Sequence, residues 1–335
     1  MKLSIGIVGL PNVGKSTLFK LITKQEVNIA NYPFATIGPN VGVVPVPDER
    51  LGKLAKLSES KKIVPAVVEF YDIAGLVKGA NKGEGLGNQF LSHIREVNAV
   101  VEVVRCFESA EIIHVENRVD PLKDIDTVNT ELILKDMETV EKRIAKLEGE
   151  IRTGDNKKIR DFETVKKIQE GLNKNILAVN FDKDLISEPV IGEINLLTLK
   201  PQIYLLNGVV EDVSMELKAA IKSLKADYLI SDLGREQSVN DLIKKAYEIL
   251  GLISFLTTGE DETRAWTIKK GAKAPEAAGV IHTDFEKKFI RAEVVNWAEL
   301  LGAGGWVEAK QKGLIRIEGR DYEVQDGDVI TIRHG

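Results

Sequence analysis

Residues 9–17 read "GLPNVGKST"; the apolar run "LSIGIV" (3–8) leads into them and "LFKLITK" (18–24) follows. The nonapeptide fits G-x-x-x-x-G-K-[ST] through Gly9, Gly14, Lys15 and Ser16. Its glycines let the backbone wrap phosphate oxygens with amide N–H groups turned inward, and the next helix aims its positive end at the same point. Lys15 is spaced to reach β- and γ-phosphates, and the Ser16 hydroxyl to ligate Mg²⁺. A strand, a glycine loop and a helix in that order predict a P-loop nucleoside triphosphatase of α/β class.

Two later features agree. "YDIAGL" (71–76) gives D-x-x-G at a strand end, where Asp72 holds Mg²⁺ through water and the Gly75 amide senses a γ-phosphate. Between the two lies "NYPFATIGPNVG" (31–42), which supplies Thr36 as the switch threonine that completes the metal shell when triphosphate is bound. The residue after D-x-x-G is Leu76, where many small GTPases carry the Gln that orients the attacking water. Basal turnover is therefore expected to be slow. Candidates for holding the water are His93, a monovalent cation (K⁺) near Asn12, and a partner's side chain. His114 and His282 show no ligand spacing and read as structural.

Base choice is expected in a loop after a later strand. A guanine site uses N-K-x-D, whose Asp accepts from guanine N1–H and the 2-amino group. Here "QIYLLNGVVED" (202–212) puts Gly208 and Val209 after Asn207, Val210 in the Asp position and Glu211 one place later. Without that carboxylate, adenine is at least as suitable as guanine. "NWAE" (296–299) lies near the C-terminus and reads as chance.

The P-loop sits in a wider βα alternation. Apolar runs at 3–10, 41–46, 66–75, 99–104, 202–206 and 227–231 suit strands buried on both faces of a doubly wound, mainly parallel sheet. Between 108 and 198 the period changes. Ile133, Met137, Val140, Ile144, Leu147 and Ile151 recur at four- and three-residue spacings, and after the turn "RTGDNKK" come Ile159, Phe162, Val165, Ile168 and Leu172. That is an a/d seam, and it predicts an inserted antiparallel coiled-coil hairpin. From 251 short alternating segments with Gly and Asp turns predict a small α+β domain. The expected division is 1–107 plus 199–250, 108–198, and 251–335.

Composition narrows the class. The chain has 335 residues, 43% hydrophobic and 29% charged, with a net charge of −5, which excludes a globally basic nucleic-acid binder. Cys106 is the single cysteine, so no intramolecular disulfide forms and a reducing compartment is favoured. No run approaches the roughly 18 apolar residues of a membrane span, and no secretory signal is evident. A cytoplasmic location is expected.

The quoted motifs, with "DIAGLVKGANKGEGLGNQFLSHIREV" (72–97), "VVRCFE" (103–108), "NTELILKD" (129–136), "RAWTIKKGAKAPEAAGVIHTDFEKKFIRAEVV" (264–295) and "EGRDYEVQDGDVI" (318–330), resemble the YchF, or Obg-like ATPase, family over nearly the whole chain. The resemblance implies a central nucleotide domain, an inserted coiled coil and a C-terminal TGS domain of β-grasp type. It implies ATP hydrolysis with a hydrophobic residue in place of the catalytic Gln, matching Leu76, and association with ribosomes. By position Asn12, Val13, Gly14, Lys15, Ser16 and Thr17 would bind nucleotide, Ser16 and Thr36 would ligate Mg²⁺, and Asn207 with Gly208 would face the base. The sequence departs from the family's N-x-x-E, since Glu211 is four residues after Asn207, and "LISD" (229–232) stands where a loop braces the base.

The leading expectation is a slow ATPase that works as a switch on ribosomes, as a monomer and without sequence-specific DNA or membrane contact. A GTP-preferring Obg-type enzyme is the enzymatic alternative, and a nucleotide-gated binding module with incidental hydrolysis the non-enzymatic one. At the hairpin tip Arg152, Lys157, Lys158 and Arg160 face a single acid, Asp155, which suits ribosomal RNA phosphates.

Overall fold

The computed structural model describes residues 3–25, 40–73, 94–109 and 119–335. Its first sheet contains β1 (Ser4–Val8), β2 (Val41–Pro45), β4 (Val67–Asp72), β5 (Ala99–Arg105), β6 (Gln202–Asn207) and β7 (Asp227–Ser231), in the order β2-β4-β1-β5-β6-β7. Every neighbouring pair is parallel except β2 with β4. All residues of β1, β5 and β6 are buried, as strands covered on both faces must be, and Val and Ile dominate β1 and β5 because branched side chains pack well on a pleated surface. Helices α1 (Lys15–Thr23) and α2 (Glu49–Leu57) turn Leu18, Leu21 and Ile22, and Leu51 and Leu54, into the same core. The α/β class and the mainly parallel sheet are as the sequence predicts.

Between β5 and β6 rises the helical hairpin of α3 (Pro121–Glu150) and α4 (Asn156–Asn173). Val140, Ile144 and Leu147 of α3 share an apolar cluster with Val165, Ile168 and Leu172 of α4, the seam read from the sequence. Two members depart from it. Ile151 falls in the short turn Ile151–Thr153, and Ile159 is 38% exposed in the first turn of α4, where α3 ends and its last residue, Glu150, pairs with Lys158. Asp155 caps α4, and Gly154, at φ 76°, makes the left-handed reversal.

The chain returns from the hairpin under a buried carboxylate. Asp136, fully buried, accepts from Leu197 N, Thr198 N and the Thr198 hydroxyl, each at 2.8 Å. Burial is the largest influence on this group and pushes its pKa up, against the pull of those hydrogen bonds and of Arg95. The Arg95 backbone carbonyl accepts from Asn195 Nδ2 at 3.1 Å and Lys200 Nζ at 3.0 Å, so the approach to β5 is fastened to the same return.

A second sheet holds β8 (Leu252–Thr258), β9 (Thr263–Lys269), β10 (Phe289–Asn296), β11 (Arg316–Glu318) and β12 (Asp328–His334), in the order β11-β10-β12-β8-β9. Its far edge is β3 (Ile63–Val64), which pairs with β9 in parallel although it comes from the first third of the chain. One side of the sheet has a core of its own around Phe255, Ala278 and Val294. On the other, Leu256, Val295 and Val329 belong to the cluster that also contains Leu51, Leu54 and Leu242. The C-terminal region thus packs continuously with the nucleotide fold. Arg50 reinforces the join, reaching Asp48 at 2.8 Å and Asp326 at 2.6 Å.

Candidate nucleotide-binding site

Parallel sheets place their functional loops at the carboxyl ends of the strands. Here the loops after β1, β5, β6 and β7 enclose a cleft of about 1000 Å³, lined among others by Asn12, Lys15, Phe107, Asn207, Asp212 and Leu233. Gly14, Ser16, Thr17 and Gly208 also line it, whereas Val13 is buried behind the loop at 1% exposure.

The P-loop conformation needs its glycines. Gly9 has φ 140° and Gly14 φ 114°, and a Cβ would come within 2.5 Å of the Val103 carbonyl oxygen at the first and of Asn207 Nδ2 at the second. Side chains there would meet strain and collision together. Asn12 also sits in the left-handed region, at φ 61°. Gly14 caps α1, whose first residues are Lys15, Ser16 and Thr17, so the helix's amide-rich end faces the cleft.

Lys15 Nζ donates to the carbonyls of Gly9 at 3.0 Å and Leu10 at 2.6 Å, two residues of its own loop. Burial lowers its pKa to about 8, partly offset by the charge of Asp72. Burial likewise raises Asp72 above the ordinary carboxylate range, with Lys15 opposing. Asp72 ends β4 opposite Ile7, beside the start of the P-loop, and its N–H donates to the Asn40 carbonyl at 2.9 Å. Thus a cation and an anion, each shifted by burial and each felt by the other, lie where the sequence predicts phosphate and Mg²⁺. Thr36, Gly75, Leu76 and His93 lie outside the described residues, as does His114. His282 caps a short helix, its Nδ1 accepting from Asp284 N at 3.2 Å.

The other end of the cleft is organised by Asn207, which is 5% exposed. Its Nδ2 donates to Val13 O at 2.8 Å, and its Oδ1 accepts from Leu233 N at 3.1 Å. The side chain therefore ties the P-loop to the loop after β7. Gly208 N donates to Ser231 O at 3.2 Å, so Ser231 of "LISD" (229–232) holds the loop that carries Gly208. A short helical turn, Val210–Asp212, follows, and Val209 N donates to Asp212 Oδ2 at 3.0 Å. Cys106 forms part of the floor, and burial first, then Asp212 and Asp124, pushes its thiol up to about 12, leaving it inert.

By spacing from Asn207, Glu211 falls one place beyond the position of the base-reading carboxylate. Asp212 lines the cleft, and Glu211 is not among the lining residues. Asp232, the last residue of "LISD", lines it also, as do Phe107 and Arg235, to which the sequence reading gives no role. The available signal was their position just beyond the ends of β5 and β7.

Comparison with known proteins gives concordant matches. The model described as a 50S ribosome-binding GTPase matches residues 4–143, and that of the YchF-GTPase C-terminal region, described as a protein of unknown function (DUF933), matches 252–335. A ribosome-binding ATPase YchF of Bacillus subtilis (strain 168) is 47% identical, over 99% of both chains. One of Haemophilus influenzae is 45% identical with the same coverage. Among solved structures, the Schizosaccharomyces pombe YchF GTPase superposes with a TM-score of 0.85 at 38% identity, covering 99% of this chain and 98% of that one.

Proposed function

This chain belongs to the YchF family of P-loop nucleoside triphosphatases, and on that premise we propose that it binds and hydrolyses ATP with Mg²⁺ as a nucleotide-governed switch on ribosomes. The observation that carries the reading is the P-loop at the cleft, with Gly9 and Gly14 at positive φ, Lys15 Nζ held on the Gly9 and Leu10 carbonyls, and Asp72 at the end of the neighbouring strand β4. Lys15 would exchange its loop carbonyls for phosphate oxygens, and Asp72 would hold the metal, when a Mg-triphosphate is bound. The donors present, a Ser16 hydroxyl and the Asp72 carboxylate, are the hard oxygen ligands that Mg²⁺ takes alongside water and phosphate. When bound, the metal neutralises charge on the polyphosphate.

Bacterial relatives named ribosome-binding ATPases support both the base and the partner. We assign Thr36 to the metal shell and Gly75 to sensing the γ-phosphate. His93, K⁺ near Asn12 and a partner's side chain remain the candidates for orienting water beside Leu76. The working division is 1–107 with 199–250 for nucleotide, 108–198 for the hairpin and 251–335 for a TGS domain. At the hairpin tip Arg152, Lys157 and Arg160 are exposed, while Lys158 pairs with Glu150 at 2.8 Å. We assign the three exposed cations to ribosomal RNA phosphates. No helix among the described residues is long and apolar enough to cross a membrane; we assign the protein to the cytoplasm, as a monomer.

Co-sedimentation with ribosomes without nucleotide, with ADP and with a non-hydrolysable ATP analogue tests the switch. Ribosome binding is expected to change among the three states, and identical binding in all of them sinks the reading. A hydrolysis assay in parallel tests the ATPase.

A further inference from the structure

The printed names of the relatives divide between ATPase and GTPase. We propose that Asp212 selects the base in this chain, its carboxylate accepting a hydrogen bond from the 6-amino group of adenine. The inference rests on the cleft being the nucleotide site.

Six backbone donors at this end of the cleft are already engaged. Gly208 N donates to Ser231 O, Val209 N to Asp212 Oδ2, Leu233 N to Asn207 Oδ1 and Gly234 N to Asp232 Oδ1, all between 3.0 and 3.2 Å. Arg235 N and Glu236 N both donate to Asp232 O, at 2.9 and 3.0 Å. A 6-oxo purine needs a donor opposite O6, and each of these amides would have to break a bond to provide one.

The acceptors differ from one another. Asn207 uses both ends of its amide within the protein, so its side chain braces the site. Asp232 accepts from Gly234 N and pairs with Arg235 Nε at 3.2 Å. Asp212 has one oxygen on Val209 N, while its Oδ1 has no protein donor among the described residues. It is held over Gly208, where a Cβ would lie 2.9 Å from Asp212 Oδ2 and 3.3 Å from Cys106 Cβ. One available acceptor suits adenine, which presents a single exocyclic amino group. Guanine presents N1–H and a 2-amino group together and asks for two. Asp212 and its neighbour Glu211 are both exposed, but only Asp212 lines the cleft.

The test is calorimetric titration, with Mg²⁺ present, of ATP, GTP, inosine triphosphate and purine riboside triphosphate, which lacks the 6-amino group. The proteins are the full chain and its Asp212→Ala, Asp212→Asn and Glu211→Ala variants. The unaltered protein should bind ATP about tenfold more tightly than purine riboside triphosphate, the size of a hydrogen bond to a charged group. Asp212→Ala should bring the two level. Asp212→Asn keeps an acceptor for Val209 N and turns an N–H toward the base, so its preference should move toward inosine triphosphate. Glu211→Ala should change neither ratio, and inorganic tripolyphosphate should bind all four proteins alike. An unchanged ATP to purine riboside triphosphate ratio in Asp212→Ala overturns the inference, as does a preference of the unaltered protein for GTP. If the unaltered protein binds no triphosphate, the nucleotide reading fails and takes this inference with it.

Discussion

The two ends of the cleft are built on opposite plans. The phosphate end is one contiguous segment, residues 9–17, whose glycines, lysine and hydroxyl lie in the chain in the order in which a polyphosphate meets them. The other end, to which we assign the base, is assembled from separate loops after β5, β6 and β7, joined by parallel pairing and by the two hydrogen bonds of Asn207. A contiguous site is fixed by residue type and spacing, because its geometry is local backbone geometry. An assembled site changes its lining whenever one loop gains or loses a residue. The two ends should accordingly respond to different substitutions.

Lys15→Ala breaks the phosphate end alone and carries the largest expected effect. Hydrolysis should fall by about 100-fold or more, as loss of a positioned transition-state charge does. Stability should stay within about 1 kcal/mol, since the ammonium removed is held against burial. A large drop in the thermal midpoint would show that the lysine serves the fold instead. Gly14→Ala injures both ends, because the new methyl meets Asn207 Nδ2 at a backbone angle that alanine resists. About 1–3 kcal/mol of stability should be lost in denaturant titrations, together with nucleotide binding.

Asn207→Ala separates the two ends without touching phosphate chemistry. It leaves Val13 O and Leu233 N without their partner, at a cost of about 2 kcal/mol. ATP should lose affinity while tripolyphosphate loses little; equal losses would mean that the two ends are one unit.

The smallest effect is a pH dependence confined to the phosphate end. The folded protein lowers Lys15 to about 8 from 10.5, so between those values the unfolded chain binds more protons than the native one. Stability of the free protein should therefore rise with pH across that window. Triphosphate binding needs the ammonium form, so ATP affinity should fall over the same window, with proton uptake measurable by calorimetry in buffers of different ionisation enthalpy. Proton release on binding would contradict the assignment.

The hairpin shows how far periodicity reads. Val140, Ile144 and Leu147 meet Val165, Ile168 and Leu172 because a seam requires only regular spacing on both helices. Ile151 and Ile159 fit the spacing yet leave the seam, since the turn consumes one and the end of the partner helix exposes the other. Nothing in a linear pattern marks where a partner helix stops. β3 was missed for a related reason: Ile63 and Val64 are too short a run to register, and they form a strand only because β9 lies alongside. The buried grip of Asp136 on Leu197 and Thr198 joins residues about sixty positions apart and left no local signal.

By itself the sequence determined the P-loop, the burial of the parallel strands and the hairpin's seam, because each depends on residue type repeated at a fixed spacing. Tertiary structure alone decided which carboxylate enters the base end of the cleft. Glu211 and Asp212 are adjacent in the chain, but the turn Val210–Asp212 folds back on Val209 N–H and carries the second, not the first, into the cleft. The direction of a side chain at the end of a short turn is set by the hydrogen bonds that close that turn, and counting residues from Asn207 cannot supply it.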